Sequence, residues 1–157
     1  MSRIVVGIDD SAGARAALAF ALDEARWRDA RLSVVNAWVM PFPLAVPGLV
    51  LGGFPVEGDT RLDDISAATQ AGAAALIDRA LEEVDAETSG VDVERLPLEG
   101  DTAAVLLEAA ADADLLVVGS RGRGGFRGLL LGSVSQTCAH HSPCPLVVVP
   151  TPTAEDG

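Results

Sequence analysis

The chain predicts an α/β fold with a parallel sheet. Strand-like and helix-like segments alternate five times along the 157 residues, which is the pattern of repeated strand–helix–strand units. One of the strands, Leu115 to Val118, is wholly apolar, as a central parallel strand covered on both faces must be. The first 38 residues also read as a complete βαβ unit, whose crossover should be right-handed.

The elements follow in order. Arg3 to Ile8 (RIVVGI) is a short apolar run that ends at Asp9-Asp10-Ser11, where Ser11 is a good N-cap. Ala14, Leu18, Ala21, Leu22 and Ala25 then recur at helical spacing, predicting a first helix to about Arg28. Leu32 to Trp38 is a second β-rich run. Val39 to Asp59 holds four prolines and four glycines, too irregular for an element, and predicts a functional or mobile loop. A second helix is expected from Thr60 to Glu87, with Ile65, Ala68, Gly72, Leu76, Ala80 and Val84 on its inner side.

Val91 to Leu98 alternates with acids and suits a less buried edge strand. Gly100-Asp101-Thr102 caps a third helix, with Val105, Leu106, Ala109 and Ala110 as its apolar stripe. The fourth helix should start near Ser133, place Val134, Thr137, Cys138 and His141 on one face, and stop at Ser142-Pro143. Leu146 to Val149 is the last strand. One domain is expected over residues 1–150, and the polar residues 151–157 form a frayed tail.

Composition narrows function. A formal charge of −12 argues against nucleic acid or an anionic membrane as a partner of the general surface. The most apolar stretch, Val39 to Phe54, is cut by Pro41, Pro43 and Pro47 and cannot span a bilayer as a helix. With no signal pattern at the start, the expected location is the cytoplasm, where Cys138 and Cys144 stay free. All 11 basic residues are Arg. The absence of Lys removes the P-loop lysine, Schiff-base chemistry and the kinase strand lysine together.

Against that acidic background, the stretch from Gly119 to Ser133 contains no acid and three arginines, Arg121, Arg123 and Arg127. A buried strand, a glycine-rich loop and a helix N-terminus in this order make an anion site. The amide N–H groups point outward, glycine allows close approach, and the helix dipole favours negative charge. The glycines do not follow the first strand, and the turn that does, Gly7 to Ser11, carries acids that repel a pyrophosphate. This excludes the dinucleotide fingerprint. Arginine contact with a phosphate, with Arg123 the candidate, stands beside the alternative of a solvated loop. His140, His141, Cys138 and Cys144 fit no usual zinc spacing; core packing and a charge at a helix C-terminus explain them better.

The spacing Gly119, two residues, Gly122, nine residues, Gly132-Ser133, together with the opening IVVGIDDS and the closing HHSPCPLVVV, resembles the ATP-binding branch of the universal stress protein family. The resemblance runs from Arg3 to Pro150. It implies a Rossmann-like, open five-stranded parallel sheet in the order 3-2-1-4-5 with helices on both faces. The ligand crevice then lies at the tips of the first and fourth strands, Asp9 and Gly119.

The same resemblance implies the site. Asp9 would accept from ribose hydroxyls or hold Mg²⁺, and Ala37 would meet adenine through its backbone. Gly119 and Gly122 would line the ribose and phosphates, while Gly132, Ser133 and Val134 would bind phosphate oxygens at the mouth of the fourth helix. Gly7 departs from members that carry Pro there. The implied cofactor is ATP with Mg²⁺, with AMP or a cyclic nucleotide as alternatives. The implied assembly is a homodimer through Leu146 to Val149. Three functions follow from different classes: a nucleotide-binding stress regulator, a slow ATP hydrolase or autophosphorylating enzyme, and a nucleotide-free dimeric interaction module. The missing lysine and general base weigh against the enzyme.

Overall fold

The computed structural model describes residues 1–40, 50–51, 54–55, 60–122 and 130–152. Five parallel strands form the sheet: β1 (Arg3–Gly7), β2 (Arg31–Trp38), β3 (Val93–Glu99), β4 (Leu115–Gly119) and β5 (Leu146–Val149). Their spatial order is β3-β2-β1-β4-β5, the expected 3-2-1-4-5. The helices are α1 (Ala12–Arg28), α2 (Thr60–Glu83), α3 (Thr102–Ala109) and α4 (Ser133–His141).

Successive strand residues point to opposite faces, so each central strand feeds two cores. Ile4, Val6, Leu32, Val34, Leu115 and Val117 pack with α1 and α2 on one side. Val5, Val35, Leu116 and Val118 pack on the other with Leu106 of α3 and Cys138 of α4. This double covering is why Leu115–Val118 reads as an unbroken apolar run. Burial pushes the Cys138 thiol up from its ordinary range. Cys138 and Cys144 are both free thiols.

The edge strand β3 tolerates Pro97, which sits opposite Asn36. Its acidic alternation is only partly solvated. Glu94 accepts from the buried Ser33 hydroxyl at 2.7 Å, and Ser33 in turn accepts from Arg3 Nε at 3.0 Å. At the same end of the sheet, Asp114 accepts from the Arg3 amide at 2.8 Å and the Ser2 hydroxyl at 3.1 Å, which holds its carboxyl below the usual range.

Four expectations need correction. The second helix ends at Glu83, followed by a short 3₁₀ turn over Ala86–Ser89. Its buried face carries Ala73, Ile77, Ala80 and Leu81, whereas Ala68 and Gly72 are exposed. Ala80 is buried and Leu76 and Val84 pack against the core as expected; alanine and glycine occur on every side of this helix, so periodicity alone misplaced Ala68 and Gly72. Within Val39 to Asp59 a two-residue antiparallel pair forms, Val50–Leu51 with Phe54–Pro55, where no element was expected. On α4 the buried positions are Ser135 and Cys138; both histidines are exposed in the last turn, so core packing does not account for them.

Gly72 gives a direct stability test. A Cβ placed there meets nothing within 4 Å. Gly72→Ala should therefore stabilise the protein by about 0.8–1 kcal/mol, the helix-propensity difference, read as a higher urea midpoint at unchanged m-value.

Candidate functional site

The cavity of about 570 Å³ lies beyond the carboxyl ends of β1, β2 and β4, where the strand order reverses direction. Three backbone segments build its walls. The β1 tip contributes Gly7 to Ser11, the β2 end Asn36 and Ala37, and the β4 end Val118 and Gly119 with the turn to Gly122. Gly132, Ser133 and Val134 close it from the start of α4. Asp9, Ala37, Gly119, Gly122, Gly132, Ser133 and Val134 thus come together as expected; Arg123 lies outside the described residues. Arg121 lines the cavity in addition.

The turn after β4 is pinned at its root. Ser120 N–H donates to Val149 O at 2.8 Å, and the Ser120 carbonyl accepts from Gly132 N–H at 2.7 Å and from Ser135 Oγ at 2.8 Å. The loop between residues 120 and 132 therefore starts and ends at one point. Thr151 N–H donates to Ser120 Oγ at 3.2 Å, tying the chain beyond β5 to the same root. On the opposite side, Gly119 lies so close to α1 that an added Cβ would be 3.0 Å from Gly13 O.

The helix termini differ in how they are capped. In α1, Ser11 Oγ accepts from Ala14 N–H at 3.2 Å; in α3, Asp101 Oδ2 accepts from Ala104 N–H at 3.1 Å. The α4 N-cap is Gly132, which has no side chain to accept with. Its first helical bond runs from Gln136 N–H to Gly132 O, so the amides of Ser133, Val134 and Ser135 precede the ladder and point toward the cavity end. Of these three termini, the one beside the cationic turn is the one left open to an anion.

Across from it stands Asp9. Its Oδ1 accepts from Ser11 N–H at 2.8 Å. Its Oδ2 faces the turn so closely that a Cβ on Gly122 would be 2.7 Å away. Glycine at 122 leaves that space to the carboxylate. One carboxylate oxygen next to an anion cradle is the partial ligand set that suits Mg²⁺, which keeps most of its shell as water and phosphate oxygens. Among the described residues no group of three potential metal ligands forms a site of its own.

The third corner is the end of β2. Pairing between β1 and β2 stops at Gly7 opposite Val35, with Ile8 N–H to Val35 O at 2.9 Å beyond it, while β2 runs on beside β3 to Trp38 opposite Glu99. Odd-numbered residues of β2 face β1, so the Ala37 N–H and C=O point to the side β1 has left. They form a donor and an acceptor side by side at the cavity edge.

Sequence reasoning missed Asn36, Thr102 and Leu106 as lining residues. Asn36 sits in a run that reads as plain strand, and the other two belong to a helix that only the fold brings to the cavity. Nothing local signals them.

Comparisons with known proteins agree with this architecture. A model described as the universal stress protein family matches residues 1–150. A universal stress protein of Mycobacterium tuberculosis is 36% identical over 145 residues, 92% of this chain and 44% of that protein. The chain thus spans about half the length of the curated relatives it matches. Among solved structures, the universal stress protein UspA from Lactobacillus plantarum has a TM-score of 0.74 at 23% identity, over 94% of this chain and 97% of its own. A universal stress protein solved in complex with cAMP has a TM-score of 0.67 at 27% identity, covering 96% of this chain and 98% of its own. A sheet in this order, with its cavity at the strand reversal, and a family match over residues 1–150 lead to one conclusion: the chain belongs to the universal stress protein family.

Proposed function

We propose that the protein is an adenine-nucleotide-binding regulator of the stress response, with ATP and its Mg²⁺ as the physiological ligand. The observation that carries this reading is the convergence, in one cavity, of an uncapped helix terminus, the Asp9 carboxylate and the unpaired Ala37 edge. The α4 amides and Arg121 receive phosphate oxygens, as a helix N-terminus does. Asp9 accepts from the ribose or holds the Mg²⁺ that neutralises the phosphates, and Ala37 reads the base. That a universal stress protein was solved in complex with cAMP supports an adenine nucleotide as the ligand.

The outer edge of β5 bears no strand among the described residues, and we propose that a second copy pairs there through Leu146 to Val149. Light scattering at micromolar concentration should give twice the 16.1 kDa chain mass; a monomer overturns this pairing.

For the nucleotide, a thermal-shift titration is decisive. Mg-ATP at 100 times Kd should stabilise the protein by about 2.7 kcal/mol, or roughly 5–10 °C in Tm. Mass spectrometry of the nucleotide that co-purifies should find an adenine nucleotide. No shift with ATP, AMP or cAMP overturns the reading.

A further inference from the structure

We infer that Asn36 is a positioning residue that holds the ends of β1 and β2 apart and so sets the base specificity of the cavity; this rests on the adenine-nucleotide reading above. In a parallel ladder, a residue that donates to one partner accepts from the residue two further on. After Ile8 N–H to Val35 O, the next rung would be Ala37 N–H to Ile8 O. That rung is not made. The Ile8 carbonyl accepts instead from Asn36 Nδ2 at 2.8 Å, and Asn36 is only 8% exposed. Because a carbonyl faces it, the amide nitrogen is the end of Asn36 that points at Ile8.

The substitution of a side-chain rung for a backbone rung has a consequence. The Ile8 carbonyl is satisfied either way, so folding alone does not need the amide. What the amide changes is Ala37, whose N–H is left without its ladder partner at the cavity edge. An unmade backbone donor is costly, and such costs concentrate at sites that meet a ligand. The released pair, N–H donor beside C=O acceptor, matches adenine, whose ring N1 accepts and whose 6-amino group donates. Guanine presents the reverse at the same edge, an N1–H donor beside an O6 acceptor. Acceptor then meets acceptor, and the site rejects it.

The test compares wild type with Asn36→Leu, which keeps the volume and removes the donor, and with Asn36→Ser as a second variant should the first not fold. Amide hydrogen exchange reads the strand geometry without any nucleotide. Ala37 N–H should exchange readily in the free wild type and become protected in the variants, where the backbone rung closes. Binding reads the specificity. Wild type should prefer ATP to GTP by at least about tenfold, the worth of one hydrogen bond of roughly 1.4 kcal/mol. In the variants ATP affinity should fall by about that factor and the ATP/GTP ratio contract toward one, while affinity for inorganic tripolyphosphate stays unchanged. A ratio that is the same in wild type and variants, or an Ala37 amide equally protected in all of them, overturns the inference while leaving the cavity a nucleotide site. Loss of tripolyphosphate and ATP binding together marks a merely structural role and overturns it too. A wild type that binds neither overturns the site reading itself, and the base assignment with it.

Discussion

Gly132→Glu should leave the fold intact and abolish nucleotide binding. Gly132 has φ −76° and ψ 172°, an extended conformation open to any residue, and an added Cβ would come no closer than 3.5 Å, to Arg121 Cα. Neither the backbone nor the packing demands glycine here. What a side chain would change is access to the amides of Ser133 and Val134. A carboxylate at this position satisfies those donors from within and meets the helix dipole favourably, by about 0.3–1 kcal/mol. It also sets a negative charge where the proposed phosphate would sit, and like charges in contact cost several kcal/mol. The expected result is a Tm equal to or slightly above wild type, with Mg-ATP affinity reduced more than about 100-fold. Gly132→Ala, measured beside it, should lose much less. An undiminished thermal shift with Mg-ATP in the Glu variant would place the phosphates elsewhere.

Gly13→Val should do the opposite, damaging the fold first. A Cβ on Gly13 would stand 2.8 Å from the Arg121 carbonyl and 3.0 Å from Thr151 Oγ1. The first of these is backbone and cannot rotate away. Gly119 of β4 also lies against Gly13, so close that an added Cβ there would be 3.0 Å from Gly13 O, which leaves α1 little room on that side. The clash is relieved only by lifting the turn after β4 off α1, which strains the Ser120 root that Val149, Gly132 and Thr151 share. Overpacking of this kind costs roughly 1–3 kcal/mol, and a backbone contact belongs at the upper end. A fall in Tm of about 6–12 °C is expected, measured by circular dichroism, together with weaker nucleotide binding. A variant as stable as wild type would show that the turn does not rest on α1. Two glycines of one chain thus separate: packing demands glycine at 13 and does not at 132, where the proposed phosphate site lies.

Such distinctions mark the limit of what was legible from the residues. Ser11 as a cap, Asp101 as a cap, and the two-sided burial of Leu115–Val118 were all readable, because each is a local rule acting over a few neighbouring residues. The inner face of α2 was legible only in part. Its alanines are small enough to face water or core, and the choice of Ala73 and Ile77 over Ala68 and Gly72 is made by the sheet it packs on. In the cavity, seven of the eight expected lining residues could be named from spacing and resemblance, since Asp9 and the Gly119–Ser133 stretch carry their chemistry in short motifs. Asn36 could not, because its role depends on where another strand stops.

The order of apolar and polar residues by itself determined the alternation of strands and helices, the helix starts, and the presence of a cationic, glycine-rich turn on an acidic chain. These depend on periodicity, capping and charge, which act along the chain. Tertiary structure alone decided that β1 ends before β2, that Asn36 takes the Ile8 carbonyl, that Gly13 and Gly119 touch, and that Asp9 faces Gly122. Each of these is a contact between segments far apart in sequence, set by how the sheet and its helices pack, and no local preference of either partner encodes it.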